Sequence, residues 1–288
     1  MKFYNIKDEY INYLKKYDAK VVDNKKGKRP YVGVVLEIDG IKYYTPFTSP
    51  KEKHRKMKNT KDFRKIDRIQ RSLLQGYQYD IAHYATAEEK VKAEKCYLSL
   101  AKQLLDKENH KFQYKEVEHG GRAQKYFSSI EWLLRADMVH LCKLVTDVRF
   151  DLDDYARDDF FRAYTTDLSL LMAMKDFSLK QHIVENTLFG NSKGGIYECA
   201  IADALYKKGY PLYFYKNETT KRKIDVMIQK DGVVVPIEVK SGNTRANSLK
   251  SILKTNADIP YGYKFVDGNI GVSDDGIITL PLYMIAFI

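Results

Sequence analysis

A chain of 288 residues with 44% hydrophobic and 13% aromatic side chains can bury a core, which excludes a disordered tail and suggests two ordinary domains or one with an appendage. Its 49 Lys and Arg against 38 Asp and Glu leave a net charge of +11, the balance of a protein that meets a polyanion. Cys96, Cys142 and Cys199 stand far apart with no C-x-x-C pair, which excludes a disulfide scaffold, offers no zinc spacing and suits reduced thiols.

The opening MKFYNIKDEY has no apolar signal region, and no window approaches the roughly 18 apolar residues of a membrane span. The expected location is cytoplasmic, with no membrane partner. Residues 1–66 hold 18 basic and 8 acidic side chains, so that ten of the eleven excess charges belong to the first quarter of the chain. The densest run is KEKHRKMKNTKDFRK, which carries Lys51, Lys53, Arg55, Lys56 and Lys58. Such a stripe attracts nucleic acid, RNA or DNA, unless it is only a solvated linker. His54 reads as part of that run rather than as a base.

In chain order, Asp8, Tyr10 and Leu14 have helical spacing, and Tyr31 to Ile38 is a β-rich run ending at Asp39-Gly40. Asp-Gly between apolar runs marks a hairpin, because both turn positions take positive φ. The register then sets Glu37 opposite Lys42 and Leu36 opposite Tyr43. Long amphipathic helices follow from Phe63. Thr86 with Glu89 forms a capping box for a helix to about Glu108, and a second helix is expected over 122–138, then a strand over 140–145. Helix, helix and β wing is the order of a winged-helix module, although the aromatic stripe of Phe127 and Trp132 reads as core.

Beyond Thr166 the spacing predicts helices over 168–177 and 196–208, strands over 210–215, 223–229 and 233–240, and a helix over 246–253. Strands over 262–266 and 277–288 close a compact α/β unit with a mixed sheet. Gly190-Asn-Ser-Lys-Gly-Gly reads as a turn. No G-x-x-x-x-G-K-[ST] loop occurs, so no ATP site is expected.

The second hairpin turns at Asp231-Gly232. A two-residue connection pairs Ile224 with Val239, Val226 with Ile237 and Ile228 with Val235 on one apolar face. The other face pairs Lys223 with Lys240, Asp225 with Glu238 and Met227 with Pro236. Two carboxylates across a ladder have Cβ atoms about 5 Å apart and repel unless neutralised. A divalent cation, Mg²⁺ or Mn²⁺, would neutralise them and bridge to a phosphate. Lys240 could orient the attacking water, and Glu198 could add a third carboxylate. Asp225, Glu238 and Glu198 are thus the candidate metal ligands, and with Lys240 the candidate catalytic set for phosphodiester hydrolysis. A surface hairpin with mixed charges is the plain alternative.

Residues from about 195 to 240 resemble the nuclease core of the PD-(D/E)xK, or restriction-endonuclease-like, superfamily. The segments KDFRKIDRIQRSLLQGYQYDIAHYA, KENHKFQYKEVEHGGRAQKYFSSIEWLL, KIDVMIQ and VPIEVKSGNTRANSLK extend the likeness over about 63–288. There the chain resembles the C-terminal part of bacterial and archaeal AAA-type ATPases. The resemblance implies metal binding at Asp225, Glu238 and Glu198 and catalysis by Lys240; the ATPase half and its P-loop are missing.

About 57 N-terminal residues, MKFYNIKDEYINYLKKYD and YVGVVLEIDGIKYYTPFTSPKEKH, resemble the ToxN/AbiQ endoribonucleases of type III toxin–antitoxin systems. That resemblance implies metal-free RNA cleavage by 2′-hydroxyl attack on a β-barrel, with an antitoxin RNA as partner. It places catalysis on Thr48, Ser49 and Lys51 of the TSPK turn, and RNA contact on Tyr10. Hydroxyls and a lysine on one turn can hold a phosphate and stabilise its pentacoordinate charge.

The expected organisation is a basic, toxin-like β-hairpin module over 1–60, a helical winged-helix-like region over 61–150, and an α/β, restriction-endonuclease-like domain over 151–288, α+β overall. Three functions follow: a metal-dependent nuclease at the C-terminal site, a metal-independent endoribonuclease at the TSPK turn, or an inactive nucleic-acid-binding or regulatory protein.

Overall fold

The computed structural model describes residues 3–4, 8–16, 31–38, 41–46, 60–105, 111–188, 190–242 and 244–288. They fall into two compact units, Met1–Asp62 and Phe63–Ile288.

In the first unit, β1 (Phe3–Tyr4), β2 (Tyr31–Ile38) and β3 (Ile41–Pro46) form an antiparallel sheet in the order β1-β2-β3, with α1 (Asp8–Lys15) between β1 and β2 in sequence. The Asp-Gly register holds where the turn sets it, with Ile38 opposite Ile41, Glu37 opposite Lys42 and Leu36 opposite Tyr43. It slips between Val32 and Leu36, where β2 carries an irregularity, and β1 pairs Phe3 with Val32. β1 has only two residues, too few for an alternation to announce it.

The second unit takes all but the first three residues of α2 (Thr60–Tyr84), then α3 (Lys90–Leu104), α4 (Ala123–Arg135), β4 (Val139–Val145) and β5 (Ala156–Thr165). Next come α5 (Leu168–Ala173), α6 (Phe177–Val184), α7 (Gly190–Lys207), β6 (Leu212–Lys216), β7 (Lys223–Lys230) and β8 (Val233–Val239). The rest are α8 (Asn247–Thr255), β9 (Gly262–Val266), β10 (Gly271–Val272), β11 (Ile277–Pro281) and a closing 3₁₀ turn, Leu282–Phe287.

Eight strands make one mixed sheet in the order β10-β11-β9-β8-β7-β6-β4-β5. β4, β6, β8, β9 and β11 run one way, and β5, β7 and β10 run against them. The fold is therefore mixed α/β, as expected. The strand expected as a wing is instead an inner strand of this sheet, held between β5 and β6. Its cross-strand neighbour β5 was not anticipated, because Phe161 to Thr165 is buried continuously and shows no alternation.

Apolar residues cover both faces of the sheet. Leu144, Phe214, Val226, Ile228, Val235, Ile237 and Val239 meet Leu100 and Leu104 of α3, Ile130 and Leu133 of α4, and Ile201 and Leu205 of α7. Tyr213, Ile224, Met227 and Val234 meet Leu249 and Ile252 of α8 on the opposite side. The Gly190–Gly195 segment is the first part of α7 rather than a turn. Gly195 explains its glycines in part: a Cβ there would collide with the Leu104 carbonyl oxygen and lie 3.0 Å from Leu105 Cα, so glycine lets α7 pass close to the end of α3.

The capping box forms by half. The Glu89 amide donates to Thr86 Oγ1 at 3.3 Å, but the Glu89 carboxylate accepts from Ser128 and Ser129 of α4, at 2.8 and 2.6 Å. Burial raises the Glu89 pKa, yet the two serine hydrogen bonds together with the Lys92 charge outweigh it and hold the carboxyl below its ordinary range. No described helix is long and apolar enough to cross a membrane.

Candidate functional site

The expected hairpin between β7 and β8 is present, with Lys230 opposite Val233 and Val226 opposite Ile237, as the two-residue turn requires. The register stops there, short of the charged pairs. On the other side of β7, Tyr213 pairs with Met227 but Tyr215 with Ile224, so three steps on β7 oppose two on β6. One extra residue in a strand is a bulge, and it turns the side chains beyond it to the other face. Ile224 accordingly packs with Met227 and the α8 side, while Val226, Ile228 and Val239 face α7. The expected Ile224–Val239 pair is therefore not made, and Asp225 sits in the bulge instead of closing a ladder rung against Glu238.

Each acid has other company. Asp225 Oδ2 accepts the Val239 amide at 2.9 Å, and Oδ1 lies 3.3 Å from Lys223 Nζ. Glu238 Oε1 lies 2.6 Å from Lys240 Nζ, and Oε2 accepts the Leu249 amide of α8 at 3.3 Å. Both carboxylates are buried, so the lysines provide the counter-charges that like-charged neighbours need. Lys240 thus stands beside Glu238.

Glu198, on α7, is fully buried. Its Oε1 pairs with the Arg162 guanidinium and accepts the Tyr164 hydroxyl at 2.7 Å. Both partners are on β5, which is why sequence reading missed them; an arginine inside the apolar run FFRAYT was the available signal, since a buried arginine needs an acid. Glu198 Oε2 and Arg162 Nη2 have no hydrogen-bond partner among the described residues.

A divalent metal held by Asp225, Glu238 and Glu198 would need free carboxylate oxygens turned toward one point. Four oxygens of the pair already face amides or lysines, and Glu198 faces Arg162. Among the described residues no group of three or more His, Cys, Asp or Glu side chains could hold a metal ion. The residues as placed do not fit the expected Mg²⁺ or Mn²⁺ site.

Cys96, Cys142 and Cys199 are free and buried. Burial pushes each thiol up to about 12, so they remain protonated packing groups.

Thr48, Ser49, Lys51, Lys53, Arg55, Lys56 and Lys58 lie outside the described residues. Tyr10 lies on α1. What the structure does give is the hairpin that runs into their segment, since β3 ends at Pro46.

The comparisons with known proteins divide the chain along its length. Residues 2–115 match the family of toxin ToxN of type III toxin–antitoxin systems, and residues 193–285 match a domain of unknown function, DUF4143. The chain thus joins a ToxN-type region to a DUF4143 region. The toxin match reaches residue 115, well past the 57 residues expected, and takes in α2 and α3.

Similar proteins include endoribonuclease ToxN of Pectobacterium atrosepticum, 44% identical over 64 residues, which is 21% of this chain and 37% of that protein. Endoribonuclease ToxN of Bacillus thuringiensis subsp. kurstaki is 47% identical over 55 residues, 18% of this chain and 28% of that protein. Endoribonuclease AbiQ of Lactococcus lactis subsp. lactis is 38% identical over 53 residues, 18% and 29%. The chain spans about a third of the length of these relatives. No solved structure matches it significantly.

Proposed function

We propose that this protein is a metal-independent endoribonuclease of the toxin–antitoxin kind, acting through Thr48, Ser49 and Lys51. The observation that carries the reading is the match of residues 2–115 to the toxin family, within which Thr48 to Lys51 directly follow the β2–β3 hairpin. In this reading the Thr48 and Ser49 hydroxyls hold the scissile phosphate and the Lys51 ammonium stabilises the extra negative charge of the pentacoordinate phosphorus. The ribose 2′-oxygen forms a bond to phosphorus as it loses its proton, and the bond to the 5′-oxygen breaks as that oxygen gains one. The products are a 2′,3′-cyclic phosphate and a 5′-hydroxyl end. Tyr10, Lys51, Lys53, Arg55, Lys56 and Lys58 contact the RNA, and a cognate antitoxin RNA occupies the same basic surface when the enzyme is held inactive.

Supporting this assignment over the C-terminal one, Asp225, Glu238 and Glu198 are engaged by Lys223, Lys240 and Arg162. The DUF4143 region keeps a PD-(D/E)xK-like sequence pattern in this reading but contributes no chemistry.

The test is incubation of labelled single-stranded RNA and duplex DNA with the purified chain, in Mg²⁺, in Mn²⁺ and in excess chelator. RNA cleavage in chelator with cyclic-phosphate ends is expected, lost at least 100-fold in Thr48→Ala and Lys51→Ala and retained in Asp225→Asn. Cleavage that needs a metal and disappears in Asp225→Asn would transfer the reaction to the C-terminal site. Binding without cleavage in every condition would leave a nucleic-acid-binding protein.

A further inference from the structure

The side of α2 turned away from the core carries Lys65, Arg68, Ser72, Gln75, Tyr79 and His83, all exposed. Their spacing of three and four residues puts them on one ridge, about 27 Å long at the rise of an α-helix. Lys65 and Arg68 form no ion pair among the described residues. The nearest acid along the helix, Asp67, is turned inward, where Arg71 Nε holds one oxygen at 2.9 Å and Lys180 holds the other. Asp80, exposed, flanks the ridge on the side of Ile69 and Leu73. Tyr79 is 74% exposed and packs on no other described ring.

Two features set this ridge apart from an ordinary solvated helix face. Asp67, the acid between Lys65 and Arg68, is removed from the surface by a buried ion-pair cluster, so it does not oppose their charge. And the densest basic run of the chain, 51–65, ends in the ridge's first residue. Ammonium and guanidinium groups, amide and hydroxyl donors, and a free aromatic ring in a line are what a single-stranded nucleic acid needs: phosphate neutralisation and a stacking platform.

We infer that the outer ridge of α2 is a binding track for single-stranded RNA, with Lys65 and Arg68 on phosphates and Tyr79 stacking on a base. The choice of RNA rests on the endoribonuclease reading; the track itself rests on the ridge. It places an RNA contact on the Phe63–Ile288 unit, outside the Thr48–Lys51 segment.

The experiment measures binding of the full chain to a fluorescent 20-nucleotide single strand carrying 2′-O-methyl groups, which cannot be cut by 2′-hydroxyl attack, across a salt series. Lys65→Gln/Arg68→Gln is expected to weaken binding about tenfold near 0.1 M salt and to lower the slope of log K against log salt by about 1.4. Tyr79→Ala is expected to weaken it at least fivefold with the slope unchanged. Lys221→Gln/Lys254→Gln, two exposed lysines elsewhere, is the charge-matched control, and circular dichroism verifies that each variant is folded. Lys65→Gln/Arg68→Gln indistinguishable from the control, or no binding by the parent chain, would overturn the track. Loss of binding in the ridge variants of a chain that cleaves no RNA would leave the track standing and the endoribonuclease reading fallen; chelator-resistant cleavage with unaltered binding would do the reverse.

Discussion

His140 on β4 stacks with the rings of Tyr164 and Tyr206, at 5.5 and 4.2 Å, and neither ring nitrogen has a hydrogen-bond partner among the described residues. Burial pushes the imidazole down to about 4, whereas the unfolded chain takes up that proton near its ordinary 6.5. As pH falls from 6.5 the unfolded state binds the proton first, so the stability that is full above pH 6.5 is lost progressively down to about pH 4, by about 3 kcal/mol. His140→Phe, which keeps a ring in the stack, is expected to flatten this part of the profile; urea unfolding at pH 7 and pH 4.5 measures it, and an unchanged difference between the two would refute the assignment. The Glu198–Arg162 pair gives a second residue-level expectation. Glu198→Ala leaves a guanidinium buried without its acid and should cost about 3–5 kcal/mol, while Glu198→Met/Arg162→Met, which removes both charges, should cost far less. Denaturant midpoints decide this, and a double change as damaging as the single one would contradict it.

Among the elements, α7 depends on a single missing side chain. Gly195→Ala would drive a methyl group into the backbone of Leu104 and Leu105, which cannot yield as a flexible side chain does. The expected loss is about 3 kcal/mol, against little change for Gly242→Ala, where nothing lies within 4 Å; thermal unfolding of the two variants compares them. At this scale the sequence was legible where local rules decide. Asp39-Gly40 and Asp231-Gly232 set the hairpin registers next to their turns, and β9 lies over its expected 262–266. It was not legible where distant contacts decide. The β7 bulge answers to β6 pairing, which no count from the turn contains, and it falls on Asp225, the residue the chemistry was expected to use. Lys240 beside Glu238 follows from E-x-K spacing on one strand; Arg162 beside Glu198 joins residues 36 positions apart and could not.

For the molecule as a whole, composition foretold a mixed α/β body, and the change of texture at Phe63 coincides with the start of the second unit. Among the described residues, the buried clusters of the second unit draw their side chains from Phe63–Ile288. A fragment starting at Thr60 should therefore unfold in one cooperative transition with a urea midpoint close to that of the full chain, and should not cut RNA in chelator, since Thr48, Ser49 and Lys51 are gone. A broad, non-cooperative transition would show that the second unit leans on the first.

The close approach at Gly195 also bears on descent. α3 falls in the part of the chain matched to the toxin and α7 in the part matched to DUF4143, yet Leu100 and Leu104 of one share a buried cluster with Cys199 and Ile201 of the other. Modules shuffled by recombination ordinarily meet at a joint that tolerates new neighbours. Here the two matched regions meet in a packed interior, so a change in the apolar face of α3 is answerable to α7.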